Sequence, residues 1–306
     1  MGEVMKDLKD FDGCILPNEF FLTKEKIEHF EVKDDDVWVT SYPKAGTTWT
    51  QEMVWLIGND LDYEGAKVSV DQRFPFIEVN SLTKAMMKFG KKRNPEKFSK
   101  EFVVTDNIKK LNETEGKRFI KSHLPWYLLP RQITDGLKKP KIIHVMRDPK
   151  QVSVSYYHHN NLVIPLFDEN LSNFIDIYVQ GKVLYGDYFN VVKSYLKQSH
   201  LPNLLIITYE DMIRDIKSVI KKVSEFLNKN FTDEDIDKLA EHLSFNQMKN
   251  NQAVNREYIS GNDDEKFMRK GTVDSYKEEL SDEDIDKLNK WFAENIKGSG
   301  LPYETN

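Results

Sequence analysis

Two six-residue runs constrain this chain most: KIIHVM (141–146) and LLIITY (204–209). Each is nearly all apolar. That pattern suits a strand covered on both faces, and such strands build parallel sheets. Two more β-rich runs, Val37–Tyr42 and Arg118–Ser122, precede them. Helical spacings fall between and after the runs. Trp49, Met53, Val54 and Ile57 make one apolar face, and Ile216, Val219, Ile220, Val223, Phe226 and Leu227 make another. Asp148-Pro149 reads as an N-cap followed by proline at the first helical position, opening KQVSVSYYHH. Strands alternating with helices predict an α/β fold. The expected architecture is a single domain over residues 1–306: a central parallel sheet with a strand–phosphate loop–helix unit and helices on both faces. Ligands of such sheets bind at the carboxyl ends of the strands, so the residues just after each strand matter most.

Composition narrows the partners. Charged residues are 31% of the chain, hydrophobic residues 39%, and the net charge is −6, which argues against a general nucleic-acid binder. No apolar run is long enough to span a membrane, and the charged start MGEVMKDLKDFDG has no signal-type apolar core. Lys6 stands where a myristoylation signal wants Ser or Thr. The lone Cys14 cannot form an internal disulfide. A reducing cytoplasm is the expected compartment. The repeated DEDIDKL at 233–239 and 282–288 follows Thr232 and Ser281, and reads as two helices with the same capping start. The basic stretch 84–100 reads as a solvated loop, with a mobile lid as the functional alternative.

The strand ends carry the chemistry. SYPKAGTTW (41–49) is a strand-to-helix turn in which residues 43–47 can aim backbone N–H groups at an anion. Lys44 adds a full charge, Thr47 and Thr48 add hydroxyls, and Trp49 offers a flat face for a base. The lysine precedes Gly46, and Thr47 follows it, so this is not a G-x-x-x-x-G-K-[ST] loop. KSHLP (121–125) puts His123, a candidate general base, two residues after Lys121; a lone histidine there would read as a surface turn. Arg147 ends the third strand, where it can clamp a phosphate or pair with Asp148. Ser155 follows one to two turns into the next helix. FMRKG (267–271) brings Arg269, Lys270 and Gly271, an anion site or an exposed basic turn. Lys44, Lys121 and Arg147 would converge on one sheet edge, more charge than one phosphate needs, so a ligand with two anionic ends is expected. His158 and His159 are adjacent on a helix, point to different sides, and make no metal pair.

YPKAGTTW, KSHLP, RDPKQVSVSYYH, ITYED and FMRKG occur in the order and approximate spacing of the cytosolic sulfotransferases, and the chain resembles that family from about residue 37 to 271. The resemblance implies sulfuryl transfer from 3′-phosphoadenosine 5′-phosphosulfate to an acceptor hydroxyl or amine, leaving adenosine 3′,5′-bisphosphate. It implies that Lys44, Ala45, Gly46, Thr47 and Thr48 cradle the 5′-phosphosulfate. Trp49 and Phe245 would stack on adenine, with Tyr209 and Met248 near the base. Arg147, Ser155, Arg269, Lys270 and Gly271 would hold the 3′-phosphate. His123 would be the catalytic base, Lys44 would neutralise the bridging oxygen and Lys121 would support the equatorial oxygens, so that no metal is required. By the same resemblance His158 is structural.

The acceptor is expected to be a small hydrophobic alcohol: a phenol, steroid or retinoid. Phe20, Phe21, Phe74, Phe76 and Phe102 are candidate pocket residues, each of which could equally be core. A dehydratase outcome, in which the sulfated alcohol eliminates sulfate, uses the same machinery. A P-loop kinase and a non-catalytic nucleotide binder are the competing readings; the first lacks its lysine after the loop glycine, and the second has no need of His123. Three departures from the family stand out. TVDSYKEELSDEDID replaces the Gly-Asp-Trp triplet, and Ser281-Asp282 sits where a common dimer motif has Thr-Val, so monomer and homodimer are both open. Ala45 replaces a common loop serine.

Overall fold

The computed structural model describes residues 5–83, 87, 106–162, 167, 169–256, 267–268 and 275–301. A hairpin comes first, β1 (Leu8–Phe11) against β2 (Cys14–Pro17), turned by Asp12 and Gly13 at φ +58° and +88°. Asp-Gly supplies the left-handed pair that such a two-residue turn needs. The main sheet holds β3 (Val37–Ser41), β4 (Phe119–Ser122), β5 (Lys141–Met146) and β6 (Leu204–Thr208). All three pairings are parallel, in the order β4-β3-β5-β6.

This order fixes where a ligand can go. From β3 the chain crosses to one neighbour, and from β5 it crosses to the other side. The crevice between the carboxyl ends of β3 and β5 is therefore the switch point. Residues 42–46 leave β3 there and Arg147 leaves β5 there.

The alternating side chains of the strands bury on both faces. Trp38, Ile120, Ile142 and Met146 lie in one apolar cluster with Tyr156, Phe174, Tyr178 and Trp291 from the helices Pro149–Leu162, Leu171–Val179 and Asp282–Ile296. Val37, Val39, Ile143, Val145 and Ile207 lie in the other, with Met53, Ile57, Ile220 and Leu239 from Thr47–Gly58, Ile216–Phe226 and Asp233–His242. Among the described residues no helix is long and apolar enough to cross a membrane.

The DEDIDKL copies start helices as expected. Thr232 accepts from the Asp235 N–H while the Asp235 carboxylate accepts from the Thr232 N–H, and Ser281 accepts from the Asp284 N–H at 3.2 Å. In the stretch aligned with the dimer motif, 277–286, Ser281 is thus spent on capping its own helix. The Asp148 carboxylate accepts from the Lys150 N–H at 2.8 Å, satisfying one free donor at the helix start.

A buried ion pair pins the amino ends of β3 and β4. Arg118 forks onto Asp36 at 2.7 and 2.6 Å, and both side chains are sealed from solvent. The backbones on either side are tied too: Val37 N–H donates to Arg118 C=O and Lys141 N–H to Asp36 C=O. Asp36→Ala would strand the guanidinium, and we expect a loss of about 3–5 kcal/mol in urea denaturation. A loss below about 1 kcal/mol, the scale of exposed pairs, would show that the pair carries little of the fold.

Candidate functional site

The turn after β3 is shaped by two left-handed residues, Lys44 at φ +69° and Gly46 at φ +104°. A non-glycine residue at the first is uncommon and strained. Gly46 is required twice: by its φ, and because a Cβ there would lie 2.9 Å from Tyr209 Cδ2. Gly46 is also the N-cap of Thr47–Gly58 and has no side chain to cap it. The first-turn N–H groups of that twelve-residue helix are left for an anion.

Ser41, the last residue of β3, organises what surrounds the turn. Its hydroxyl is 2.6 Å from Thr47 Oγ1 and 3.2 Å from His123 Nδ1, and its carbonyl lies 2.9 Å from the same nitrogen. A carbonyl only accepts, so Nδ1 carries the proton and Nε2 keeps its lone pair. The His123 ring is buried edge-on between Phe76 (5.1 Å) and Tyr185 (5.5 Å). Burial, then the neighbouring Lys121 charge, hold it well below the usual imidazole range, so it is neutral at pH 7.

Lys121 is buried with Nζ 4.2 Å from the centre of the Phe76 ring. Burial first, then the Arg256 charge, bring it down to about 7. Behind them stands Glu78, fully buried, whose Oε1 accepts the His123 N–H at 2.6 Å and the Tyr185 hydroxyl at 3.3 Å. Burial raises its carboxyl to about 7 against the pull of the His123 N–H and of Ser122.

Across the crevice, Arg147 lies 4.2 Å over the ring of Tyr209, and Tyr209 meets Trp49 edge-on at 5.5 Å. Gln151 accepts two N–H bonds from Arg147, and Arg147 Nη1 reaches the Lys44 carbonyl at 3.4 Å. Ser155 is half-buried one turn beyond Gln151, on the same helix face. Thr48 and Ala45 are buried beside the turn. Phe245 is half-buried at the start of Phe245–Asn250, and Met248 is buried in the cluster against which Trp49 packs.

Not every expected pocket residue gathers here. Phe76 does. Phe20 instead packs edge-on against Phe11 in the hairpin core at 5.0 Å, and Phe74 does so against Phe119 on the other face of the sheet at 5.3 Å. Phe21 is 64% exposed, with Lys9 over its ring. Helix periodicity explains the pair: adjacent Phe20 and Phe21 cannot both face inward. Arg269, Lys270, Gly271, Phe102 and most of the basic stretch 84–100 lie outside the described residues.

Four residues of the site were not singled out from the sequence. Glu78 sits in an unremarkable RFPFIEV, Arg256 in a polar stretch, and Phe267 precedes the residues expected to matter. The fourth, His159, points away from His158. His158 pairs with Glu279 at 2.6 Å, whereas His159 packs on Phe267 at 5.9 Å, and Phe267 carries Lys44 Nζ 4.0 Å above its ring. Among the described residues no cluster of three or more His, Cys, Asp or Glu is placed to hold a metal.

Known proteins resemble this chain over nearly its whole length. The family model described as "Sulfotransferase domain" matches residues 34–300. Luciferin sulfotransferase of Photinus pyralis is 44% identical over 289 residues, covering 92% of this chain and 77% of that one. Sulfotransferase 1E1 of Bos taurus is 33% identical over 299 residues, covering 96% and 94%. A crystal structure of retinol dehydratase with androsterone and the inactive cofactor PAP superposes with a TM-score of 0.83 at 29% identity, covering 100% of this chain and 96% of that one.

Glu78 gives this geometry a test. A carboxyl raised in the fold from 4.5 to about 7 contributes stability at low pH that is lost as pH rises through that interval. Glu78→Gln removes the loss. The stability gap in urea denaturation should therefore move in favour of glutamine between about pH 4.5 and 7. A flat gap, or one moving the other way, contradicts a raised carboxyl behind the histidine.

Proposed function

This chain belongs to the sulfotransferase family, and from that premise we propose how its residues carry the reaction. The enzyme transfers a sulfuryl group from 3′-phosphoadenosine 5′-phosphosulfate to a small-molecule acceptor, leaving adenosine 3′,5′-bisphosphate. The kinase reading falls to the family match. When bound, the donor supplies an electrophilic sulfur and a stable leaving group.

The chain's groups fit it. The uncapped helix start and the turn around Gly46, too tight for a Cβ, suit the 5′-phosphosulfate. Trp49, with its buried Nε1 unpartnered among the described residues, suits the adenine beside Tyr209, Phe245 and Met248. Arg147 and Ser155, with Arg269, Lys270 and Gly271, suit the 3′-phosphate.

His123 is the observation that carries the mechanism. With Nδ1 engaged by Ser41, Nε2 is left to take the acceptor's proton. Lys44 places charge toward the bridging oxygen, and Lys121 toward the equatorial oxygens. The apolar rings of Phe76 and Tyr185 around His123 favour a largely hydrophobic alcohol, such as a phenol, steroid or retinoid. A lone buried thiol, Cys14, is consistent with work in a reducing cytoplasm. A second outcome is favoured by the likeness to retinol dehydratase: an acceptor that forms a stable cation could lose the new sulfate by elimination at the same site.

Two results are expected. His123→Ala should retain nucleotide affinity in calorimetry and lose about 10²-fold or more in kcat. A near-normal kcat would remove His123 from the chemistry. Lys121, brought down to about 7 when buried alone, should gain a proton as the anionic donor arrives. At about pH 8, calorimetry in buffers of different ionisation enthalpy should then show net proton uptake on donor binding. Proton release, or none, contradicts the placing of Lys121 against the donor.

A further inference from the structure

Three basic side chains surround one ring, that of Phe267. Lys44 Nζ lies 4.0 Å from its centre, Arg256 Cζ 5.1 Å and the His159 ring 5.9 Å. Lys44 is accounted for by the phosphosulfate turn. Arg256 and His159 have no part in that account.

Arg256 is held with effort. Its side chain is 10% exposed, its backbone is left-handed at φ +53°, and its Nη2 bonds Asp71 at 2.5 Å. Its Nε is buried without a hydrogen-bond partner among the described residues, and so is His159 Nδ1. Buried polar nitrogens are almost always paired, so two unpaired ones beside the same ring call for a ligand. Both are joined to the Lys44 turn through the Phe267 ring. Arg256 is among the charges that depress Lys121 and His123, and His159 is depressed first by burial and then by Lys44, Lys121, Arg256 and His123. Arg147 stands elsewhere, over Tyr209 beside Trp49. The edge therefore has a cation for each end of the donor and one more on the side of His123.

Resting on the transferase reading above, we propose that Arg256 and His159 form a subsite for an anionic group of the acceptor, and that the acceptor class is an apolar phenol or alcohol carrying a carboxylate. The charge balance favours a monoanion. Asp71 already offsets part of the Arg256 charge, and His159 is neutral, so a phosphate dianion would be undercompensated. Guanidinium Nε–H and an imidazole nitrogen give a carboxylate two donors once His159 presents Nδ1–H. The rings of Phe76, Phe267 and Tyr185 then cover the acceptor's body while its hydroxyl meets His123.

The test uses ω-(4-hydroxyphenyl)alkanoic acids of increasing chain length, their methyl esters, and 2-naphthol as a neutral acceptor. Acid-over-ester selectivity in kcat/KM should reach about tenfold or more at one chain length. It should collapse toward unity in Arg256→Met and rise in Asp71→Asn, which leaves Arg256 uncompensated. Esters preferred or equal at every length would overturn the subsite. So would Arg256→Met lowering acid and ester by one common factor, the mark of a structural role. If 2-naphthol and every other acceptor stay unsulfated, the transferase reading itself falls, and the subsite with it.

Discussion

The last residue of β3 is where the structure and the chemistry meet. Ser41 joins three elements: its carbonyl fixes His123 after β4, its hydroxyl reaches Thr47 at the head of the helix, and its chain runs directly into the Lys44 turn. Neighbouring parallel strands hold these pieces in register, with Thr40 opposite both Ser122 and His144, and Ser41 opposite Val145. The histidine tautomer, the anion turn and the helix dipole are thereby set by a single backbone position. A loop-borne base would have to be ordered on binding; this one is held by a sheet.

The cost of that arrangement is electrostatic. Lys121, His123, Arg256 and Glu78 are all buried, and the first two are driven toward their neutral forms. Such crowding weakens the empty protein and favours the arrival of an anion, since a negative group near Lys121 restores its charge. Glu78 softens the positive field and holds the backbone of His123 in place. Sites with tuned acids and bases store this kind of tension where function needs it.

Much of this was legible from the sequence, and the gaps have physical causes. The runs KIIHVM and LLIITY showed a parallel sheet because double-sided burial leaves no polar alternation. Strand ends then pointed to Lys44, Lys121, His123 and Arg147, since backbone topology alone carries them to one edge. Burial of single polar residues was not legible. The spacing marked only Trp49, Met53, Val54 and Ile57 as a packed face, yet Thr50, Gln51 and Glu52 are sealed as well, Glu52 by Arg73 at 2.6 Å and His242 at 2.8 Å. Glu78, His159 and Arg256 escaped for the same reason: each is brought to the site by a partner distant in sequence, and no local pattern marks it. Phe20, Phe21 and Phe74 erred the other way, because an aromatic side chain looks the same in a core as in a pocket.

The central claim is that His123 is neutral and aims an unprotonated Nε2 at the acceptor. The direct measurement is the ¹⁵N chemical shifts of the His123 ring across a pH titration. A protonated Nδ1 and a bare Nε2 are expected at neutral pH, with no imidazolium forming near the ordinary value of 6.5. A proton on Nε2, or an imidazolium at pH 7, would contradict it.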